Sequence, residues 1–450
     1  MLNRSQLAAF WVLTLTVVGF GIRFTYVSDV VLDRPLRADA AKYATYGANL
    51  FTKGVFSSDR GESTEPDSYR SPGYPILLAA MMALAGLSGW YQATLLLQIA
   101  MGAALVPLTY VASRRTLAPW GRWVASALVA LSPHLVASTS YILTETTFAF
   151  VLMIALWTLF VAVRRDRPIL YCLSGAVFGC AYLVNETLLF LPILLILLHA
   201  ARGFFRSEHS FRRKILPHAA CFLAAFLVIC GAWFVRNSTL EIPDQKKSVA
   251  RARASIILGS YPSFFHKTEE FRYYPQHEDP QYPELRESWS TMTRILWSRI
   301  QERPLRYVTW YFVQKPYYLW SWNILQGQGD VYVYPVKSSI YQQNRIAKFT
   351  HFFSKVIHPA VLVLAFIAIL ASIKSAGAIS TDAIEFEVAC FMIVVLYFTL
   401  IYGFVFQPLP RYSIPLRPEL FIAALWGLRK SCEAINTRRK GTNASSNTIA

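Results

Sequence analysis

Asp39 and Tyr43 stand one helical turn apart, and the run Arg70-Ser71-Pro72-Gly73-Tyr74-Pro75 follows them in the same polar, turn-rich stretch between two apolar segments. Farther along, Thr144-Glu145 and Arg411-Tyr412 stand where polar connections enter apolar runs, and Trp233-Phe234-Val235-Arg236-Asn237 where such a run ends. A carboxylate so placed can take a proton from an attacking hydroxyl, and a guanidinium can grip phosphate oxygens through parallel N–H bonds. Each residue also has a plainer reading: Asp39 as a helix N-cap, Glu145 as a cap or ion-pair partner, and Arg70, Arg236 and Arg411 as side chains snorkelling to lipid headgroups. Three arginines and two carboxylates gathered on one face argue for a site. Glu186, in Asn185-Glu186-Thr187, reads as a solvated turn acid.

The elements that position these residues are membrane helices. Of the 450 residues 54% are apolar, 15% aromatic and only 16% charged, which excludes an ordinary soluble protein. Apolar runs long enough to cross about 30 Å of hydrocarbon recur about ten times. The fold class expected is an all-α polytopic membrane protein with additional juxtamembrane or re-entrant helices and a large outer loop region. The net charge of +18 comes from basic residues in short connections between apolar runs. That is the pattern of the positive-inside rule and not of a nucleic-acid surface. The first run, residues 7–27, follows Arg4 and lacks a small-residue cleavage site, so it reads as an uncleaved helix with a cytoplasmic N-terminus. Cys172, Cys180, Cys221, Cys230, Cys390 and Cys432 fall in helices or in the tail, implying neither a disulfide framework nor a thiolate metal site.

Charge decides sidedness. Arg114, Arg115 and Arg122, then Arg164, Arg165 and Arg167, then residues 202–214 and 429–440 mark the inside. Residues 28–73, with seven acids and six bases, belong outside. An odd number of crossings must separate them from Arg114. Residues 74–89, interrupted by Gly86 and Gly89, are therefore read as a juxtamembrane or re-entrant helix, and 91–113 as the span. Asp39, Glu145, Glu186 and Arg236 then share the outer side. Residues 238–350 contain no spanning run, and Trp310, Tyr311, Trp320 and Trp322 near Lys315 suggest helices lying in the interface. Spans at 351–372, 386–406 and 413–428 follow. The connection 375–387 is expected inside although Asp382, Glu385 and Glu387 leave it slightly acidic. Four parts result: 1–237, an N-terminal catalytic module; 238–350, the large outer region; 351–430, the C-terminal helices; and 431–450, a disordered cytoplasmic tail.

Taken in order, these motifs resemble the GT-C class of polytopic glycosyltransferases, in the bacterial branch related to the protein mannosyltransferases, the aminoarabinose transferase of lipid A and the rhizobial lipopolysaccharide core transferases. Asp39-Ala40-Ala41-Lys42-Tyr43 is similar to the Asp-x-x-x-Tyr of the first outer loop, and Arg70 to Pro75 to its Arg-x-Pro-Gly-Tyr-Pro. Thr144-Glu145 is similar to the Thr-Glu opening of a later helix, and Trp233 to Asn237 to the Trp-x-x-Arg-Asn before the large outer region. Arg411-Tyr412 with Pro415 is similar to the Arg-Tyr and Pro pattern before a late helix. Residues 238–350 match only in kind, and Asn185-Glu186 stands where the family often carries a basic residue.

The resemblance implies transfer of a sugar from a polyprenyl phosphate to an acceptor hydroxyl at the outer leaflet. It implies Asp39 as base, Glu145 holding the acceptor or a divalent cation (Mg or Mn, with Asp39), Arg70 and then Arg236 and Arg411 on the leaving phosphate, and Tyr43, Tyr74 and Tyr412 against the substrate. The partners implied are the lipid-linked donor, membrane lipids and an acceptor that is a glycan, such as lipopolysaccharide, a lipid or a protein. The location implied is the inner membrane, with the site facing the periplasm. The alternative is a transporter or flippase of lipid-linked sugars. Such a protein should carry repeats and mid-membrane charges, whereas here the apolar runs are unrepeated and the charges gather on one face. An inactive family member serving as a subunit is a third reading, which the joint presence of Asp39, Arg70 and Glu145 opposes.

Overall fold

The computed structural model describes residues 4–61, 64–205, 209–262, 279–325, 328–376 and 383–446. The helices are α1 (Arg4–Asp29), α2 (Ala38–Lys53), α3 (Gly73–Ala112), α4 (Pro119–Leu131), α5 (Pro133–Ala137), α6 (Glu145–Arg165), α7 (Pro168–Val184), α8 (Leu191–Phe205) and α9 (His209–Ser238). The outer region adds α10 (Ser248–Ser260), α11 (Tyr282–Leu285), α12 (Trp289–Glu302), α13 (Pro304–Thr309), α14 (Lys315–Leu319) and α15 (Ile340–Gln343), and the chain closes with α16 (Arg345–Ala376), α17 (Ala383–Leu400) and α18 (Arg417–Ser446). One short antiparallel ribbon, β1 (Val31–Leu32) on β2 (Val336–Ser338), ties the end of α1 to the outer region.

This is an all-α, multi-pass membrane protein. Six described helices are long and apolar enough to cross a membrane, and the bent pair Pro119–Leu131 with Pro133–Ser140 makes a seventh. The shorter apolar helices Pro168–Val184 and Glu186–Ala201 and the start of α18 account for the remaining apolar runs read from the sequence. Only helices satisfy their own backbone polar groups in hydrocarbon, which is why runs of this composition take this form. α18 continues to Ser446, through the segment that composition assigns to a disordered tail. Glu433 pairs with Arg429 and Lys430 one turn back, in a stretch without proline.

Two helices depart from regularity, each for a local reason. α3 has 40 residues and a break at Gly86, whose φ of 72° and ψ of 172° are open to glycine. An unbroken helix of that length would rise about 60 Å, twice the hydrocarbon thickness. The break falls where the juxtamembrane segment was expected to end, and the first limb packs on α2. A Cβ on Gly47 of α2 would approach Leu78 Cβ to 2.8 Å, so glycine sets this close contact.

The second break lies between α4 and α5. Pro133 has no N–H to give the Val129 carbonyl, and Arg23 of α1 supplies the missing donors: Nη2 to Val129 O at 3.0 Å and Nη1 to Ala130 O at 3.1 Å. The terminal nitrogens of a fully buried arginine inside the first span thereby meet carbonyls that the break before a proline sets free, while its Nε has no hydrogen-bond partner.

Elsewhere α7 packs on α9, α16 on α18, and α6 on α7. Small residues allow these approaches; a Cβ on Gly175 would overlap the Phe222 carbonyl oxygen. Two of the basic connections, after α6 and at the start of α9, meet at one end of the bundle. Arg164 forks onto both oxygens of Glu387 at 2.7 Å, and Asp166 faces Lys214 and His218. The first turns of α17, at Glu387, therefore lie beside the end of α6 at Arg164; Asp382 lies outside the described residues.

The outer region corrects one expectation. Trp310, Trp320, Trp322 and Lys315 face inward. Trp310 Nε1 donates to Gly259 O at 3.0 Å and Trp320 Nε1 to Thr399 Oγ1 at 3.0 Å, and an indole N–H with a buried partner is held inside. The exposed apolar side chains of this stretch are instead Trp297, Leu305, Val308, Phe312, Val313 and Tyr317.

Candidate active site

Asp39 sits in the first turn of α2, after Ala38, whose φ of 46° lies in the left-handed region that non-glycine residues seldom adopt. The carboxylate is shared between two arginines. Arg70, from the loop before α3, donates Nη2 to Oδ1, and Arg411, from the turn Pro410–Leu416 before α18, donates Nη2 to Oδ2 at 2.6 Å. Glu145, the first residue of α6, has Oε1 3.8 Å from Arg411 Nε. The Nε atoms of Arg70 and Arg411 and the Oε2 of Glu145 are buried without a hydrogen-bond partner. Burial works against ionised Asp39, and the two arginines overcome it, holding its carboxyl well below the usual carboxylate range.

The aromatic motif residues divide between this site and its frame. Arg70 lies over Tyr43, 5.3 Å from the ring centroid, and Arg411 lies over Tyr412 at 5.2 Å. Tyr412 stacks on Tyr402 at 4.7 Å. Tyr74 is fully buried behind Tyr43, edge-on at 5.3 Å, and donates to Gln98 Oε1 at 2.9 Å. Gln98 in turn donates to Thr139 O and Tyr141 O, just ahead of Glu145. Tyr74 is thus a framing residue, outside the cavity wall. The neighbouring Gly73 is required because a Cβ there would stand 2.7 Å from the Leu183 carbonyl.

A cavity of about 680 Å³ connects these groups. Asp39, Arg70, Glu145 and Arg411 line it together with the apolar side chains of Phe190, Val249, Leu258, Val405 and Phe406. Arg236 does not reach it. Its guanidinium donates to the carbonyls of Asp67 and Phe56 and to Asn237 Oδ1, and lies over Trp233 at 4.8 Å. Its work is to clasp the first outer loop, where Asp67 accepts from Tyr46, Ser58 and Tyr69.

Two lining residues escaped the sequence reading. Glu186 is no solvated turn acid: it pairs with Arg251 of α10 and accepts from Ser71 Oγ at 3.2 Å. The Pro-Gly turn and the Asn185-Glu186 hairpin hinted at ends that could meet, but Arg251 carried no signal in its local pattern.

A divalent cation does not fit this arrangement. Both oxygens of Asp39 face guanidinium groups, and Arg411 stands between Asp39 and Glu145, so a cation there would meet two positive charges. Among the described residues no group of three His, Cys, Asp or Glu side chains could hold a metal ion.

Residues 69–233, rather more than a third of the chain, match the family model described as dolichyl-phosphate-mannose-protein mannosyltransferase. That stretch carries Arg70, Glu145 and Trp233, while Asp39 and Arg411 lie outside it. Among curated proteins none matches the chain significantly in sequence. Among solved structures, the archaeal oligosaccharyltransferase AglB from Archaeoglobus fulgidus, in complex with an inhibitory peptide and a dolichol-phosphate, matches at 11% identity and a TM-score of 0.51, over 97% of this chain and 52% of that one. The Archaeoglobus fulgidus oligosaccharyltransferase in complex with Zn and sulfate matches at 12% identity and 0.52, over 95% and 50%. ArnT from Cupriavidus metallidurans, bound to undecaprenyl phosphate, matches at 14% identity and 0.47, over 95% and 61%. The chain spans about half to three fifths of the length of these structures. The likeness is one of fold.

Proposed function

We propose that this chain is a membrane glycosyltransferase that moves a sugar from a polyprenyl phosphate to an acceptor hydroxyl, with Asp39 as general base. The observation that carries the reading is Asp39 held between Arg70 and Arg411 in a cavity lined by both charged and apolar side chains. The acceptor oxygen attacks the anomeric carbon and forms the new C–O bond. The bond from that carbon to the phosphate oxygen breaks, its electron pair stays on the phosphate, and the hydroxyl proton passes to Asp39. The phosphate turns from diester to monoester and gains a negative charge, which Arg70 and Arg411 stabilise.

The resting ion pairs give this chemistry an order. A carboxylate gripped by two guanidinium groups is a weak base. An entering phosphate draws Arg70 and Arg411 toward itself, using their unpartnered Nε–H groups, and frees Asp39 beside the acceptor. Glu145 holds the acceptor, Tyr43 and Tyr412 flank the sugar, and the apolar lining side chains take the first isoprene units. The dolichol-phosphate in the complex of the oligosaccharyltransferase of like fold supports a lipid phosphate in such a cavity. Basic residues at the far end of α6 support a cavity that faces the periplasm from the inner membrane of a bacterial cell. The acceptor is a glycan, lipid or protein displayed there.

The test is transfer of radiolabelled sugar from total polyprenyl-phosphate-sugar lipids in membranes expressing wild type, Asp39→Asn or Arg70→Ala. Transfer by wild type that collapses in both variants at equal protein level upholds the reading. Passage of lipid-linked sugar across the bilayer without transfer, indifferent to Asp39→Asn, replaces it with a transporter.

A further inference from the structure

Four of the six cysteines stand on two helices that pack side by side, Cys172 and Cys180 on α7 and Cys221 and Cys230 on α9. The proposed transfer uses none of them. The two backbones touch at Gly175, where a Cβ would stand 2.0 Å from the Phe222 carbonyl oxygen. Cys172 precedes Gly175 by about one helical turn and shares its face, and Cys221 adjoins Phe222 in the chain. The glycine contact therefore sets these two thiols against each other, and they are hydrogen-bonded across the interface. Both are free and half-buried. Farther along the same pair of helices, beside Gly179, Cys180 is exposed and Cys230 is buried. A disulfide needs Cα atoms about 4.4 to 6.8 Å apart with their Cβ atoms facing. A thiol bonded to a thiol across a backbone contact is already close to that arrangement.

We propose that Cys172 and Cys221 form an oxidative modification site, a dithiol that a hydroperoxide closes to a disulfide. One sulfur attacks the peroxide, the O–O bond breaks, and water or an alcohol leaves with that thiol's proton. The second sulfur then attacks the sulfenic acid so formed; the S–S bond forms, the S–O bond breaks, and water leaves with the second proton. Two thiols are oxidised and one peroxide is reduced. Cys172 lies in the first turns of α7, about 18 Å along the helix from Val184 in the cavity wall, so the bridge leaves the cavity open. It ties the helix that leads to Asn185 and Glu186 to the helix that carries Arg236. The proposal does not depend on the transferase reading.

The experiment uses the full chain in lipid nanodiscs, as wild type, Cys172→Ser, Cys221→Ser and Cys180→Ser, treated with hydrogen peroxide or with a fatty acyl hydroperoxide and then with a maleimide. Peptide mass spectrometry should find a disulfide joining Cys172 to Cys221 in wild type and in Cys180→Ser, with both residues protected from the maleimide and both recovered by dithiothreitol. Closure should be about tenfold or more faster in the native protein than in the chain denatured by dodecyl sulfate, because the fold holds the two sulfurs together. Oxidised wild type should melt at a higher temperature than reduced wild type, a gain that Cys172→Ser and Cys221→Ser both lose. Faster closure by the acyl hydroperoxide identifies the lipid phase as the source of the oxidant, and faster closure by hydrogen peroxide identifies water. Sulfenic acid on Cys172 or Cys221 without a bridge, a bridge that forms no faster than in the denatured chain, or oxidation confined to the exposed Cys180 overturns the proposal.

Discussion

Arg411 lies 372 positions from Asp39 in the chain, yet its Nη2 is 2.6 Å from Oδ2, while Arg70 takes Oδ1. Each oxygen of the carboxylate thus has its own guanidinium, delivered from a different end of the sequence. Such a clasp holds the start of α2 to the turn before α18 and, in the proposed mechanism, keeps Asp39 idle until something else claims the arginines.

Replacing Asp39 with Asn should separate binding from turnover. Transfer should fall by about 10² to 10⁴, the usual contribution of a positioned base. Binding of polyprenyl phosphate should tighten, because the phosphate no longer has to draw Arg70 and Arg411 from a carboxylate. Titration of the purified variant with polyprenyl phosphate, alongside the transfer assay, checks both. Weakened lipid binding in Asp39→Asn would show that the carboxylate helps to build the phosphate site and does not compete for it.

The pH dependence follows from the same clasp. With the Asp39 carboxyl held well below the ordinary range by Arg70 and Arg411 against the effect of burial, kcat/KM, which reports the free enzyme, should show no acid limb from Asp39 between pH 7 and about 5. In kcat the arginines have turned to the phosphate, so the limb should move up. Arg411→Ala should raise the limb in kcat/KM for the same reason. The stabilising contribution of the pair is present above the unfolded carboxyl value near 4 and is lost as pH falls through the lower folded value. A limb in kcat/KM that ignores Arg411→Ala refutes this assignment.

The parts of this site that were legible in the sequence are those where a polar residue interrupts an apolar run. Asp39, Arg70, Glu145 and Arg411 stand at such boundaries, where membrane burial makes an unexplained charge costly, and they do converge. Arg236 stands at an equivalent boundary, but loop path sends its guanidinium to the carbonyls of Asp67 and Phe56. No local pattern encodes that path. Arg251 and Glu186 are 65 positions apart and meet only because the fold brings α10 to the turn between α7 and α8. The helices followed from hydropathy, whereas the inward turn of Trp310 and Trp320 depended on finding indole partners in α10 and α17.

Lys315 supplies a test of the same sign in the alkaline range. Its Nζ is fully buried without a hydrogen-bond partner, 4.5 Å from the centroid of Tyr311, and burial pushes its pKa from 10.5 down to about 7. Between those two values the unfolded chain holds more protons than the folded one, so stability should rise with pH by up to about 1.4 kcal/mol per unit. Lys315→Met should be more stable than wild type at pH 7, and the difference should shrink toward pH 10. Thermal unfolding in detergent across that range measures it. A difference that stays constant with pH would mean that Lys315 does not titrate there.

Arg23 should prove essential to the fold although it touches no part of the cavity. Its guanidinium bonds Gly19 O at 2.9 Å as well as Val129 O and Ala130 O, the two carbonyls exposed by the break before Pro133. Arg23→Leu leaves those carbonyls unpaired in an apolar surrounding, at a cost of about 1 to 3 kcal/mol each, and Arg23→Lys, with a single ammonium, should recover only part. Gly102→Ala should also destabilise, since its Cβ would come within 2.6 Å of Arg23 Nε. Because α5 leads through residues 138–144 to Glu145, slackening at the break should lower transfer along with the melting temperature. Thermal unfolding of the three variants, with transfer rates measured well below each transition, gives both readings. An Arg23→Leu protein that melts with wild type would show that the broken helix finds its donors elsewhere.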